Sequence, residues 1–198
     1  MKKLDQNYWN DRYLENNTPW DIGSASQPLI EYLSNIQNKD LRILIPGAGF
    51  AHEAAFLFEN GFKNVLVCDW AQKALDIFQE RNPWFPSENL ICGDFFELEI
   101  KVDLIVEQTF FCALPREFRN RYVEKTAQLL QNTDKNQGKL VGLLFAQEFE
   151  MEGPPFGGSA EEYEKLFSPH YNIEKMEVSF NSIAPRAGRE LFVTFAKK

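Results

Sequence analysis

Apolar runs of strand length alternate along this chain with segments whose apolar positions have helical spacing. The pattern predicts β-strands near 41–46, 64–69, 89–92, 102–107, 139–146, 173–180 and 190–196. It predicts helices near 3–16, 28–37, 51–60, 71–80, 116–131 and 159–167. Strand and helix alternate through residue 146, which is the order of a parallel α/β sheet.

The character of individual strands adds detail to this sheet. The runs at 102–107 and 140–146 are almost continuously apolar, so they are expected to be central strands covered on both faces. The last two strands have no helix between them and are joined by 181–190, which predicts an antiparallel pair at the sheet edge. We therefore expect a seven-stranded, mostly parallel, doubly wound sheet with helices on both faces and a C-terminal antiparallel strand.

Length and charge narrow the class of protein. A chain of 198 residues predicts one domain, 1–198, of globular composition. The net charge of −8, with no compensating basic cluster, argues against nucleic-acid binding. The first ten residues turn polar after Leu4, and the longest apolar run is too short for a membrane span, so we expect a cytoplasmic protein. Cys68, Cys92 and Cys112 lack the spacing of a disulfide or zinc framework.

The turn after the first strand carries the clearest chemical signal. The strand runs into Pro46-Gly47-Ala48-Gly49, and Asp69 ends the next strand 20 residues after Gly49. Glycines let the backbone approach a ligand closely, and a carboxylate at this position accepts hydrogen bonds from ribose hydroxyls. Gly47, Gly49 and Asp69 are therefore predicted to bind a nucleoside cofactor.

The same turn distinguishes between cofactors. A dinucleotide site has a third glycine, but His52 stands at that position. A cofactor without phosphate, such as S-adenosylmethionine, needs only the ribose carboxylate and a site for adenine. Asp94 and Phe95 follow the third strand, where the carboxylate could accept from the adenine amino group and the aromatic ring could cover the base. These features favour a methyltransferase, while a nicotinamide-dependent oxidoreductase and a noncatalytic nucleotide-binding module stay open.

Several segments also carry a family resemblance that runs nearly end to end. The segments are YWNDRYLENNTPWD at 8–21, LIPGAGFAHEAAFL at 44–57, GDFFEL at 93–98, VEQTFFCAL at 106–114 and GPPF at 153–156. Through them the chain resembles the thiopurine S-methyltransferase superfamily, and most closely its thiol, thiocyanate and halide methyltransferase branch.

The resemblance implies a Rossmann-like class I methyltransferase fold, S-adenosylmethionine as methyl donor, S-adenosylhomocysteine as product, no metal, and a monomer. By position, Trp9, Tyr13 and Trp20 match the N-terminal aromatics that enclose the cofactor, and residues 1–27 would form a lid. Gln108 matches a cofactor contact after the fourth strand. The chain departs from the family pattern at Ala51 and His52 and at the pair Glu107-Gln108, so the resemblance implies the fold more directly than the individual contacts there.

The implied reaction is an in-line displacement by a small thiol or anion on a sulfonium methyl group, and it needs no protein nucleophile. An acceptor that binds as an anion needs a positively charged group in its binding site. Arg186 is the predicted catalytic residue, because it lies in a turn and could reach the pocket, ahead of Arg119 and Arg189. The predicted substrate pocket has an apolar wall formed by Phe110, Phe111 and Cys112.

Overall fold

The computed structural model describes residues 3–134, 136–150 and 153–198. It contains a single seven-stranded sheet with the strand order β3-β2-β1-β4-β5-β7-β6. The strands are β1 (Ile43–Pro46), β2 (Val65–Asp69), β3 (Leu90–Cys92), β4 (Leu104–Gln108), β5 (Lys139–Phe145), β6 (Tyr171–Val178) and β7 (Glu190–Lys197). Strands β1 to β5 pair in parallel, and β7 lies antiparallel between β5 and β6. The predicted mostly parallel sheet with an antiparallel C-terminal strand is confirmed.

Six α-helices accompany the sheet in the described part of the chain. They are α1 (Gln6–Leu14), α2 (Gln27–Ser34), α3 (His52–Glu59), α4 (Gln72–Arg81), α5 (Arg119–Leu129) and α6 (Ala160–Phe167). Helix α1 begins later than predicted because the Asp5 side chain caps it by accepting the Tyr8 N–H. A separate short 3₁₀ turn at 116–118 precedes α5, where the sequence predicted one continuous helix.

Successive side chains of the central strands point to opposite faces of the sheet and pack into two separate hydrophobic cores. Ile43 and Ile45 of β1 pack with α2, α3 and α4 on one face of the sheet, whereas Leu44 packs with α5 and α6 on the other. This period of two explains why the central strands read as continuously apolar, since both of their faces are covered. None of the described helices combines the length and the apolar character that crossing a lipid bilayer requires.

The parallel topology brings the carboxyl ends of β1, β2, β3 and β4 to one edge of the sheet. In the register of β2 and β3, Asp69 pairs with Cys92, so the loop that holds Asp94 starts beside Asp69. Strand β1 lies between β2 and β4, where the strand order reverses. Open α/β sheets bind their ligands in the crevice at such a reversal point.

Candidate active site at the carboxyl edge of the sheet

Two adjoining cavities open at this edge. The larger has a volume of about 300 Å³, and the smaller has a volume of about 40 Å³. Trp20, Gly47 and Thr109 line both of them, so the two cavities lie next to each other on either side of these residues. The sequence-predicted residues Trp9, Tyr13 and Asp69 line the larger cavity, as do several prolines and aromatics.

The glycine turn needs its glycines for local packing as well as for a ligand. Gly47 and Gly49 have φ values of +55° and +56°, in the region that side chains disfavour. A Cβ atom at Gly47 would lie 2.1 Å from Cδ2 of Phe110, and one at Gly49 would lie 2.9 Å from the Tyr13 hydroxyl. The turn is thus packed directly under one aromatic of the loop after β4 and one of the N-terminal helix.

Asp69 is held in place by the backbone. Its Oδ2 accepts the Gly49 N–H and its Oδ1 accepts the Ala71 N–H, each at 2.8 Å. Burial raises the pKa of Asp69, and these backbone N–H groups oppose that shift by stabilising the carboxylate. Each carboxylate oxygen has two lone pairs, so one on each oxygen is left to accept from the hydroxyls of a ribose.

The third strand leads into the predicted adenine loop. The Asp94 side chain accepts the Phe96 N–H at 2.8 Å and so caps the short 3₁₀ turn at 95–97. Phe95 is buried, with its ring edge-to-face against Phe110 at a centroid distance of 5.2 Å. In this conformation Phe95 supports the wall behind the site, whereas the sequence predicted a ring that covers the base.

The N-terminal helix closes over the glycine turn. Asn10 accepts the Lys73 N–H at 3.0 Å, which fixes α1 against α4. Tyr13 is buried, and its ring packs edge-to-face on Trp20 at a centroid distance of 5.7 Å, while Trp9 packs on Trp20 at 5.6 Å. The three predicted aromatics therefore form one cluster at the cavity.

The loop that carries Trp20 is held by contacts to two different parts of the protein. His52 Nε2 lies 2.8 Å from Oδ1 of Asp21, which links the loop to the start of α3. Nη2 of Arg186 donates to the Trp20 carbonyl at 2.7 Å, and its Nη1 lies 3.3 Å from Glu190. Arg186 and Glu190 are only 9% and 3% exposed. The predicted catalytic arginine lies in the wall of the larger cavity, with its charge already paired.

Gln108 offers an unused acceptor. It lines the smaller cavity, and its Oε1 is buried with no hydrogen-bond partner among the described residues. A buried acceptor without a partner costs about 1–3 kcal/mol. A ligand with an N–H or ammonium group would satisfy it, which fits the cofactor role that the resemblance implies for Gln108.

Glu107, which the sequence analysis did not assign to the site, shapes the loop after β4. One carboxylate oxygen accepts the N–H groups of Phe110 at 2.8 Å and Phe111 at 2.9 Å. The other accepts the Tyr122 hydroxyl at 2.6 Å. Burial raises the pKa of Glu107 to about 7. The sequence does contain a signal for this role, because Glu107 is a carboxylate near the end of a strand that is otherwise apolar.

The loop after β4 places only two of the three predicted pocket residues at the larger cavity. Phe110 and Cys112 line the larger cavity. Phe111 is instead 1% exposed and packs in the core against Tyr122 and Tyr163, because consecutive residues in the turn point to opposite sides. The Cys112 thiol donates to the Thr109 carbonyl at 3.3 Å, and burial raises its pKa, so it stays protonated.

Glu107 makes a testable contribution to the pH dependence of stability. Because its pKa of about 7 in the folded protein exceeds the ordinary value of 4.5, folding favours the protonated form. The stabilisation is full below about pH 4.5 and is lost as the pH rises through about 7. We expect the free energy of unfolding of Glu107→Gln to fall less between pH 5 and pH 8 than that of the wild type, by up to about 3 kcal/mol.

Urea unfolding at several pH values measures this difference. Buried Glu53 and Asp69 are present in both proteins, so their titration cancels in the comparison. Glu117→Gln, at an exposed carboxylate on the 3₁₀ turn before α5, is the control and should track the wild type. Parallel curves for wild type and Glu107→Gln would show that Glu107 does not titrate in this range.

The two other arginines that the sequence analysis considered, Arg119 and Arg189, do not line either cavity. Arg119 is buried between α5 and α6, where it pairs with Glu162 and donates to the Gly157 carbonyl at 2.7 Å. Arg189 is exposed.

Arg12 of α1, which the sequence analysis did not assign, lines the larger cavity. Which face of α1 meets the body of the protein depends on long-range packing, so spacing alone could not have identified it.

Comparisons with known proteins identify the family of this chain. The family described as Thiopurine S-methyltransferase (TPMT) matches residues 4–194. "Probable thiol methyltransferase 2" of Arabidopsis thaliana is 28% identical over 197 residues, which cover 96% of this chain and 84% of that protein. "Thiocyanate methyltransferase 1" of the same organism is 27% identical over 196 residues, with coverage of 96% and 84%.

Comparison with solved structures shows that methyltransferases share this fold. A Burkholderia thailandensis 1,6-didemethyltoxoflavin-N1-methyltransferase, solved with S-adenosylhomocysteine, superposes with a TM-score of 0.76 at 16% identity and covers 98% of this chain and 87% of that one. At this identity the likeness establishes the fold alone. The family match spans nearly the whole chain, from the N-terminal aromatics to the last strand. The chain therefore belongs to the thiopurine S-methyltransferase family.

Proposed function

We propose that this protein transfers the methyl group of S-adenosylmethionine to a small soft nucleophile, such as a thiol, a thiopurine, thiocyanate or a halide. As a member of its family it is an S-adenosylmethionine-dependent methyltransferase. One observation carries the choice of acceptor class. The glycine turn and Asp69 border a cavity whose wall is largely apolar, which suits a weakly hydrated, polarisable acceptor better than a strongly hydrated one.

Several residues of the chain suit this cofactor. Asp69 would accept from the ribose hydroxyls, and Oε1 of Gln108 would accept from the cofactor's ammonium group. Gly47 and Gly49 allow the backbone approach. Bound S-adenosylmethionine supplies an electrophilic methyl group on a sulfonium cation. Aromatic faces such as that of Trp20 attract a cation by about 0.5–2 kcal/mol.

The first 27 residues would serve as the lid over this site. Residues 1 and 2 lie outside the described part of the chain. From residue 3 onwards, the aromatic cluster of Trp9, Tyr13 and Trp20 covers the glycine turn. Arg186 would act here as a positioning residue, since its guanidinium holds the Trp20 carbonyl. Such a lid excludes water from the reacting groups.

The apolar cavity suits a displacement in which charge is lost. A thiolate or halide and a sulfonium are both better solvated by water than their transition state is, so a dry cavity with aligned reactants raises the rate. Phe110 and Phe145 contribute apolar wall to this cavity. Cys112, held as a neutral thiol, does not compete with the acceptor for the methyl group.

The two alternative functions are less well supported. A nicotinamide-dependent oxidoreductase would need room for a pyrophosphate at the helix after the glycine turn, where His52 is instead bound to Asp21. A noncatalytic module would not need an acceptor cavity next to the cofactor residues. The family match and the named relatives favour methyl transfer over both.

A transfer assay tests the proposal directly. The protein is incubated with S-adenosylmethionine labelled in the methyl group and with thiols, a thiopurine, thiocyanate or iodide, and volatile or extractable labelled product is counted. We expect turnover with at least one of these acceptors and a melting shift with S-adenosylmethionine but none with NADH. Stabilisation by NADH alone would overturn the proposal.

Asp69 gives a quantitative test of the cofactor site. We expect Asp69→Ala to weaken S-adenosylmethionine binding by about 1–3 kcal/mol, because the ribose hydroxyls lose their acceptor. Isothermal titration calorimetry measures the effect. Asp76→Ala, which removes an exposed carboxylate of α4, is the matched control and should bind as the wild type does. An unchanged dissociation constant for Asp69→Ala would show that the ribose lies elsewhere.

A further inference from the structure

Arg12 places a positive charge in the wall of the larger cavity. Its guanidinium lies over the ring of Trp20, with Cζ 5.2 Å from the ring centroid, and 6.0 Å from that of Tyr8. Within residues 3–134, 136–150 and 153–198 no carboxylate lies within 4.0 Å of it. Its Nε is buried and has no hydrogen-bond partner there. Stacking holds the charge in place, and no described carboxylate neutralises it.

The other charged groups of this cavity are already compensated. Arg186 pairs with Glu190. Asp69 accepts two backbone N–H groups and is assigned to the ribose. The lining is otherwise mostly apolar and includes Pro19 and Pro154. An anion that enters such a cavity loses its hydration and needs a counter-charge inside it.

We propose that Arg12 is the specificity-determining residue of the acceptor site, and that it binds the acceptor as a small anion such as thiocyanate, iodide or a thiolate. This inference rests on the proposed function and extends it to the charge of the acceptor. A guanidinium is weakly hydrated and stays charged, so it can hold a polarisable anion at low desolvation cost. The sulfonium supplies the second positive charge that the anion meets.

A competing assignment is that Arg12 binds the carboxylate of the cofactor. Arg12 lines the larger cavity, whereas Gln108 and Gly49 lie at the smaller one, together with the start of α3. If Gln108 accepts from the cofactor's amino group, the carboxylate attached to the same carbon lies near the smaller cavity too. The two assignments predict different kinetic effects, which separates them.

Steady-state kinetics at constant ionic strength test the proposal. We expect Arg12→Gln to raise the KM for thiocyanate at least about tenfold, because a charge-assisted contact is lost. The kcat and the dissociation constant for S-adenosylmethionine should stay near wild-type values, and Arg12→Lys should recover part of the KM. Arg81→Gln is the matched control, since Arg81 also stacks on an aromatic ring, Phe50, but on the exposed part of α4.

One kinetic outcome would overturn the proposal, namely a KM for thiocyanate that is the same in Arg12→Gln as in the wild type. If the affinity for S-adenosylmethionine is weaker in that variant while the KM is unchanged, Arg12 is assigned to the cofactor carboxylate instead.

A binding measurement separates failure of this inference from failure of the proposed function. Labelled thiocyanate is dialysed to equilibrium against the complex with an S-adenosylmethionine analogue that carries a positively charged, non-transferable group in place of the methylsulfonium, so no turnover occurs. Saturable binding that Arg12→Gln weakens at least about tenfold supports the anion site even if no acceptor is methylated. Absence of saturable thiocyanate binding to the wild-type complex overturns the anion site, even if thiols are methylated.

Discussion

Replacing Gly47 with alanine is expected to destabilise the protein by about 2–5 kcal/mol and to abolish measurable binding of S-adenosylmethionine. The φ of +55° costs an alanine about 1–2 kcal/mol. The new Cβ would also lie 2.1 Å from Cδ2 of Phe110, so the ring must move. Such overpacking typically costs about 1–3 kcal/mol more. Moving Phe110 disturbs the wall that both the cofactor and the acceptor would contact.

A second glycine separates the two causes. Gly61 follows α3, has a φ of +89°, and has no atom within 4 Å of the place that a Cβ would occupy. Gly61→Ala should therefore show the backbone cost alone, about 1–2 kcal/mol, and should bind the cofactor as the wild type does. Urea unfolding and calorimetry measure both variants. Equal losses of stability and normal cofactor binding in both would exclude a special role for the contact between Gly47 and Phe110.

Removing Arg186 is expected to have a comparably large effect. Arg186→Leu leaves Glu190, which is 3% exposed, as an uncompensated buried charge. Breaking a buried pair in this way costs about 3–5 kcal/mol. The variant also removes the hydrogen bond to the Trp20 carbonyl, so the proposed lid would lose one of its attachments and both cofactor and acceptor should bind more weakly.

A double variant tests the cause of this instability. Arg186→Leu combined with Glu190→Leu removes both charges and should be more stable than Arg186→Leu alone, as judged by urea unfolding. Arg121→Leu breaks the exposed pair with Glu97 and should cost less than about 1 kcal/mol. If the double variant is no more stable than the single one, the unpaired carboxylate is not what destabilises the protein.

The sequence predicted the sheet well because its signals are local. Apolar runs set the strands, and the connection lengths distinguished parallel from antiparallel pairing. The positions of Gly47, Gly49 and Asp69 at the carboxyl edge of the sheet also follow from one strand-turn-helix-strand unit, while their role in cofactor binding stays a prediction. In each case the residues that decide the structure are close together in the chain.

The parts that sequence could not supply depend on contacts between distant segments. Phe110 and Phe111 are adjacent and equally apolar, yet Glu107 and Tyr122 determine which one faces the cavity. Arg12 reaches the site only because α1 packs on α4. The charge of Arg186 could be predicted, but its contact with the Trp20 carbonyl, 166 residues away in the chain, could not.

The anchoring of the lid has a consequence for the catalytic cycle. Asn10, Asp21 and the Trp20 carbonyl bind three separate parts of the body: α4, α3 and the turn before β7. If the aromatic cluster covers the cofactor as proposed, at least one of these attachments would have to loosen before the spent cofactor leaves. Release of the product cofactor would then depend on the motion of this segment, and such motions limit turnover in many enzymes.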